Sequence, residues 1–150
     1  MTHFKSTKTY KAEKGFSCVF RQWKADSHCR FLHGYAIEIF IEFEAIALDK
    51  NNWVVDFGGL KSLENDLRNT FDHKTVVSSD DPKIDWFYTG ERLGILDLVI
   101  LDEGVGMEMF ALEVYTLANA WLQDSEFKHR CKITKTEVKE HGANSAIYIP

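Results

Sequence analysis

A chain of 150 residues is long enough to bury a core without disulfides or a structural metal, and nothing in it calls for more than one domain over residues 1–150. Hydrophobic residues make up 45% and charged residues 27%, as in ordinary globular proteins, and a net charge of −5 excludes an extended nucleic-acid surface, which is built from Lys and Arg. The odd cysteine count (Cys18, Cys29, Cys131), the lack of an apolar signal core in Met1-Thr2-His3-Phe4-Lys5 and the absence of any membrane-length apolar run predict a soluble cytoplasmic protein.

In chain order, residues 16–23 read as a strand with Phe16, Cys18 and Phe20 on one face. Residues 36–46 alternate more clearly. Ile37, Ile39, Ile41, Phe43 and Ala45 share one face, while Glu38, Glu42 and Glu44 share the other with Phe40 and Ile46, as in an antiparallel strand with one buried face. Phe40 and Ile46 among the acids predict that another subunit covers that second face. Gly58-Gly59 opens a helical pattern that runs to Phe71 through Leu60, Leu63 and Leu67. No element is assigned over residues 78–94; residues 96–101 form a short apolar run. A second helix follows over residues 107–122, striped by Phe110, Val114, Leu117, Ala118 and Trp121. Residues 131–140 and 145–149 close the chain as two strands about the turn His141-Gly142-Ala143-Asn144. The predicted architecture is α+β: a four-stranded antiparallel sheet with two helices packed on one face.

Candidate chemistry begins at Cys29-Arg30-Phe31-Leu32-His33-Gly34-Tyr35, which leads into the long strand. A thiol titrates close enough to neutral pH to abstract an activated proton, although a lone cysteine is more often a small buried hydrophobe. In Asp72-His73 the carboxylate can fix the imidazole tautomer and raise its basicity; the plainer reading is a surface pair after a helix, with His at the favourable end of the helix dipole. Glu140, eight residues before Tyr148, can accept two parallel N–H bonds from a planar group, much as a carboxylate accepts a guanidinium fork. By composition alone it is one more charge in Lys135-Thr136-Glu137-Val138-Lys139-Glu140.

Five segments in order carry a resemblance to a known family. Cys29 to Tyr35 is similar to a C-x-x-x-H-G-H element, and Phe16-Ser17-Cys18-Val19-Phe20 to the F-x-A-A-H strand before it. Val54-Val55-Asp56-Phe57-Gly58-Gly59-Leu60-Lys61 resembles V-x-D-F-x-x-L-K, Phe71-Asp72-His73 resembles L-D-H, and Val138-Lys139-Glu140 with Tyr148 resembles V-x-E-T…Y. The family is that of the 6-pyruvoyl-tetrahydropterin and 6-carboxytetrahydropterin synthases.

The resemblance implies a T-fold whose sheets close into a barrel, as a homotrimer or dimer of trimers with sites between subunits. It implies a carbon–oxygen lyase that converts 7,8-dihydroneopterin triphosphate or a close analogue, with the queuosine-type synthases the nearer branch for a short chain. Catalysis would fall to Cys29, Asp72 and His73, and pterin binding to Glu140. Glu108 matches the glutamate of P-T-x-E-N, with Val105 and Gly106 replacing Pro and Thr. The family's zinc is held by three histidines, at positions that here are Phe20, His33 and Tyr35. With one ligand of three retained, zinc is expected to be absent or weakly bound, and no organic cofactor is implied. Cys18, His28, His141 or Tyr35 as phenolate would be the replacement donors. Two other readings are a metal-independent T-fold enzyme acting on a pterin or deazaguanine, and a non-catalytic pterin- or purine-binding protein.

Overall fold

The structure, a computed structural model, describes residues 2–150. It has seven strands and three α-helices among the described residues, in the order β1 (Phe4–Tyr10), β2 (Phe16–Phe20), β3 (His33–Ala45), α1 (Lys61–Phe71), β4 (Lys74–Ser78), α2 (Ile84–Arg92), β5 (Leu98–Leu101), α3 (Met107–Asp124), β6 (Cys131–His141) and β7 (Asn144–Tyr148). The four predicted strands and two predicted helices are all present, with shifted ends. The expectation of a purely antiparallel four-stranded sheet is corrected. The sheet is mixed, in the order β5-β4-β2-β3-β6-β7, with β1 also pairing β3. β4 runs parallel to both β2 and β5, because α1 and α2 carry the chain back over the sheet before each new strand.

β3 is the spine. Its first residues pair with β2, its later ones with β1 on the same edge, and its other edge takes β6. Ile37, Ile39, Ile41 and Phe43 are fully buried, as their alternation predicts, and each contributes roughly 1.5–3 kcal/mol of burial. α3 lays Phe110, Ala111, Val114, Ala118 and Leu122 into the same core, against β6 and β7. Thr136 Oγ1 donates 2.7 Å to the Ala111 carbonyl, satisfying the buried hydroxyl between these layers.

On the opposite face of β3 the acids pair with lysines of this chain. Lys5 reaches Glu42 at 2.7 Å, Lys132 reaches Glu44 at 3.1 Å, and the Lys135 ammonium lies 5.0 Å from the centre of the Phe40 ring. β2 stops at Phe20 rather than at residue 23 because Arg21 and Trp23 turn away to bond Asp81 and Asp80. The carboxylates of Asp80 and Asp81 thereby fasten the end of β2 to the turn that starts α2. No described helix is long and apolar enough to cross a membrane.

Candidate functional site

A cleft of about 480 Å³ opens where β2, β3, α3 and the β6–β7 hairpin meet. Phe20, His33 and Tyr35 form its floor, Cys29 and His28 one rim, Glu108 of α3 another, and Glu140, His141 and Asn144 the hairpin side. The sequence around each residue explains its place. Ser27 accepts the Cys29 N–H at 3.3 Å and caps a single 3-10 turn, His28–Arg30; the Gln22 N–H bonded to the Cys29 carbonyl then pins that turn to the end of β2. Gly34 lets β2 and β3 approach closely: a Cβ there would stand 2.5 Å from the Cys18 carbonyl oxygen. Glu140 sits at an irregularity in the β6–β7 pairing, between Lys139 and His141, and such an extra residue re-aims its side chain. Asn144 Nδ2 donates 2.8 Å to Glu140 Oε1 across the turn.

The imidazoles are fixed by their partners. His33 Nδ1 lies 2.6 Å from the Phe31 carbonyl oxygen, which can only accept, so in the neutral ring Nδ1 carries the proton and Nε2 the lone pair. His73 Nδ1 is 2.7 Å from Asp72 Oδ1, again leaving Nε2 as the basic nitrogen. Arg68 holds the other Asp72 oxygen at 2.9 Å. Burial pushes the Asp72 carboxyl up, but the bonds from His73 and Arg68 outweigh it and hold the group below the usual carboxylate range. His73 takes a left-handed backbone conformation, φ 59°, while its N–H bonds the Ser17 carbonyl.

The structure gathers Cys29, His33, Glu108 and Glu140 around one cleft and leaves Asp72 and His73 outside it. His73 meets β2 at Ser17, three residues before Phe20 and so about 10 Å along the strand, and its side chain is 83% exposed. Gln22, Asn144 and Ser145 also line the cleft, the last two not singled out from sequence as site residues. For Asn144 the available signal was its place in the turn beside Glu140.

The donor set does not fit a three-histidine zinc. Phe20 has no ligating atom, and its ring packs on His33 at 4.8 Å and on Phe110 at 5.1 Å between centres. The Tyr35 phenol is pushed up by burial and then by the negative charges of Glu140 and Cys29, which favours its protonated form. Cys18 is fully buried in the core, and burial raises its thiol to about 12, which removes it as a replacement ligand. His33 alone keeps a free imidazole nitrogen at the three family positions.

Mixed sheet, packed helices and a cleft at the sheet's end define an α+β fold with its candidate site formed by strand ends, a helix start and a hairpin. The sequence model of 6-pyruvoyl tetrahydropterin synthase matches residues 9–150. Matched over nearly its whole length, the chain belongs to the 6-pyruvoyl tetrahydropterin synthase family. No curated protein matches the sequence. Among solved structures, an uncharacterized protein from Wolinella succinogenes is similar at a TM-score of 0.83 and 17% identity, with 99% of each chain covered. The 6-pyruvoyl tetrahydropterin synthase of Plasmodium falciparum is similar at 0.72 and 17% identity, covering 99% of this chain and 98% of that one. That of Caenorhabditis elegans is similar at 0.61 and 15% identity, covering 99% and 95%. At these identities the likeness is one of fold.

Proposed function

We propose that the protein is a pterin-converting lyase whose anchor is Glu140 and whose proton acceptor is Cys29. The observation that carries this reading is the convergence of Cys29, Glu108 and Glu140 on one cleft in a chain of this family. Glu140 keeps Oε2 and the remaining lone pair of Oε1 for the paired N–H groups of an amino-pyrimidinone edge. Cys29, on the opposite rim, takes a proton from the side-chain carbon beside the ring. A C–O bond of the side chain then breaks, the electron pair leaving with the oxygen as triphosphate where the side chain carries that ester. His73, oriented by Asp72, exchanges the second proton. Because that pair lies outside the cleft of its own chain, we place it at the cleft of a second copy in a homotrimer or dimer of trimers. No step is routed through a metal.

A second reading is favoured by the aromatic residues at two of the three zinc positions: a T-fold enzyme that works on a pterin or deazaguanine without metal. Both readings meet the same test. Cys29→Ala should abolish turnover of the substrate found by screening pterins and deazaguanines while leaving its affinity within about twofold, since the thiolate acts on the reacting carbon. Full activity in Cys29→Ala would remove the catalytic assignment.

A further inference from the structure

The two members of the Asp72–His73 pair do not by themselves explain its geometry. The His73 ring stands largely in solvent, and Asp72 is its hydrogen-bond partner among the described residues. A ring held in this way is only as fixed as the carboxylate that holds it. Asp72 follows the last turn of α1, where the helix carbonyls disfavour a negative charge. A carboxylate with one oxygen unheld is also free to turn about its own axis.

Arg68, one turn earlier on α1, removes both weaknesses. Its Nη1 donates 2.9 Å to Asp72 Oδ2, the oxygen that His73 does not use, and its carbonyl accepts the Asp72 N–H at 2.9 Å. The guanidinium is itself held. Nη2 donates to the Lys14 carbonyl at 3.2 Å and to Glu64 Oε1 at 3.3 Å, and the group lies 4.6 Å from the centre of the buried Phe16 ring. Lys14 belongs to the turn between β1 and β2, and Phe16 opens β2. The Ser17 carbonyl of the same strand accepts the His73 N–H at 2.6 Å. The pair is thus fixed twice against one short stretch, residues 14–17: its backbone by Ser17, and its carboxylate, through Arg68, by Lys14 and Phe16.

Resting on the reading of His73 as the group that exchanges the second proton, we infer that Arg68 is a positioning residue for the reaction, clamping Asp72 so that Oδ1 is presented to His73 Nδ1 and the neutral ring keeps its lone pair on Nε2. Arg68 acts through Asp72 alone. Its bond, with that from His73, also holds the Asp72 carboxyl below its usual range against the burial that raises it, so both oxygens remain acceptors.

The test reads the ring directly. By NMR of the intact protein carrying isotope-labelled histidine, the His73 nitrogens, assigned by their loss in His73→Gln, should show the proton on Nδ1; an imidazole free in water prefers it on Nε2. Arg68→Met keeps an apolar stem against Phe16 and removes every donor. Its His73 signals should move toward the free-imidazole pattern, and turnover of 7,8-dihydroneopterin triphosphate should fall at least about tenfold with KM within about twofold. Arg68→Lys, whose single ammonium cannot serve Asp72, Lys14 and Glu64 in the guanidinium's plane, should show the same changes at smaller size. Ring signals and turnover that match the unsubstituted protein, in whichever of the two variants folds, overturn the inference. Turnover that falls with the ring unmoved overturns it too, and leaves the role of His73 standing. A ring that moves while turnover holds removes His73 from the reaction, and absence of turnover in the unsubstituted protein overturns the lyase reading; either takes the inference with it.

Discussion

Asn144 holds one oxygen of Glu140, so the proposed anchor has its orientation set by the hairpin. Removing that donor should cost affinity without touching the reacting atoms. Asn144→Ala is expected to raise Kd for the pterin about three- to tenfold, roughly one charge-assisted hydrogen bond, with kcat little changed. Asn144→Asp should be worse, because it sets a second carboxylate against Glu140. Glu140→Gln should weaken binding at least about tenfold and be indifferent to Asn144→Ala in the double variant, a coupling measurable by titration. Identical Kd values across the series would show that the hairpin takes no part in binding. At this scale the sequence pointed to residues that the structure brings to one cleft and was silent about what orients them. Cys29, His33 and Glu140 stood out by type and spacing, whereas Asn144 and Gln22 reach the cleft only because a turn and a strand end bring them there.

The elements hidden from sequence reading have physical reasons in common. β1 reads Phe-Lys-Ser-Thr-Lys-Thr-Tyr, polar on most positions, as suits a strand with an open edge. β4 lies between two parallel neighbours and shows a short run of buried residues in place of alternation. α2 carries Trp86, Phe87, Tyr88 and Gly90, weak helix formers all, and Gly90 reads as a breaker. Its real cause is packing: a Cβ at Gly90 would stand 2.8 Å from the Leu96 side chain. The turn before α2 is held by the Arg21 fork on Asp81, at 2.8 and 2.6 Å, with Asp81 only 3% exposed. Burial raises the Asp81 carboxyl, but Arg21 and the Lys83 N–H outweigh it and hold it below its usual range. The pair's stabilisation is therefore present above the unfolded carboxyl value of about 3.9 and lost as pH falls through the lower folded value. Arg21→Ala should cost about 2–3 kcal/mol at pH 7, with a smaller difference at pH 3, below the unfolded carboxyl value of about 3.9. Urea unfolding at the two pH values measures this; an equal loss at both would mean that Arg21 acts through packing alone.

For the whole molecule, the outer edges of β1, β5 and β7 are left without a partner strand among the described residues. Edges of this kind are usually paired or covered, and His73 stands exposed beyond the cleft of its own chain. We therefore expect a trimer or dimer of trimers by sedimentation at micromolar concentration; a monomer would leave the cleft without Asp72 and His73. The position of β3 also has a consequence for how the chain comes to be folded. Its partner on one edge, β6, begins only at Cys131, after both helices that close the core have been made. A nascent chain thus carries Ile39, Ile41 and Phe43 on a half-built sheet until residues 131–141 have left the ribosome. Folding waits on a contact between distant parts of the sequence, which makes it slow and leaves the unfinished sheet open to association with other chains.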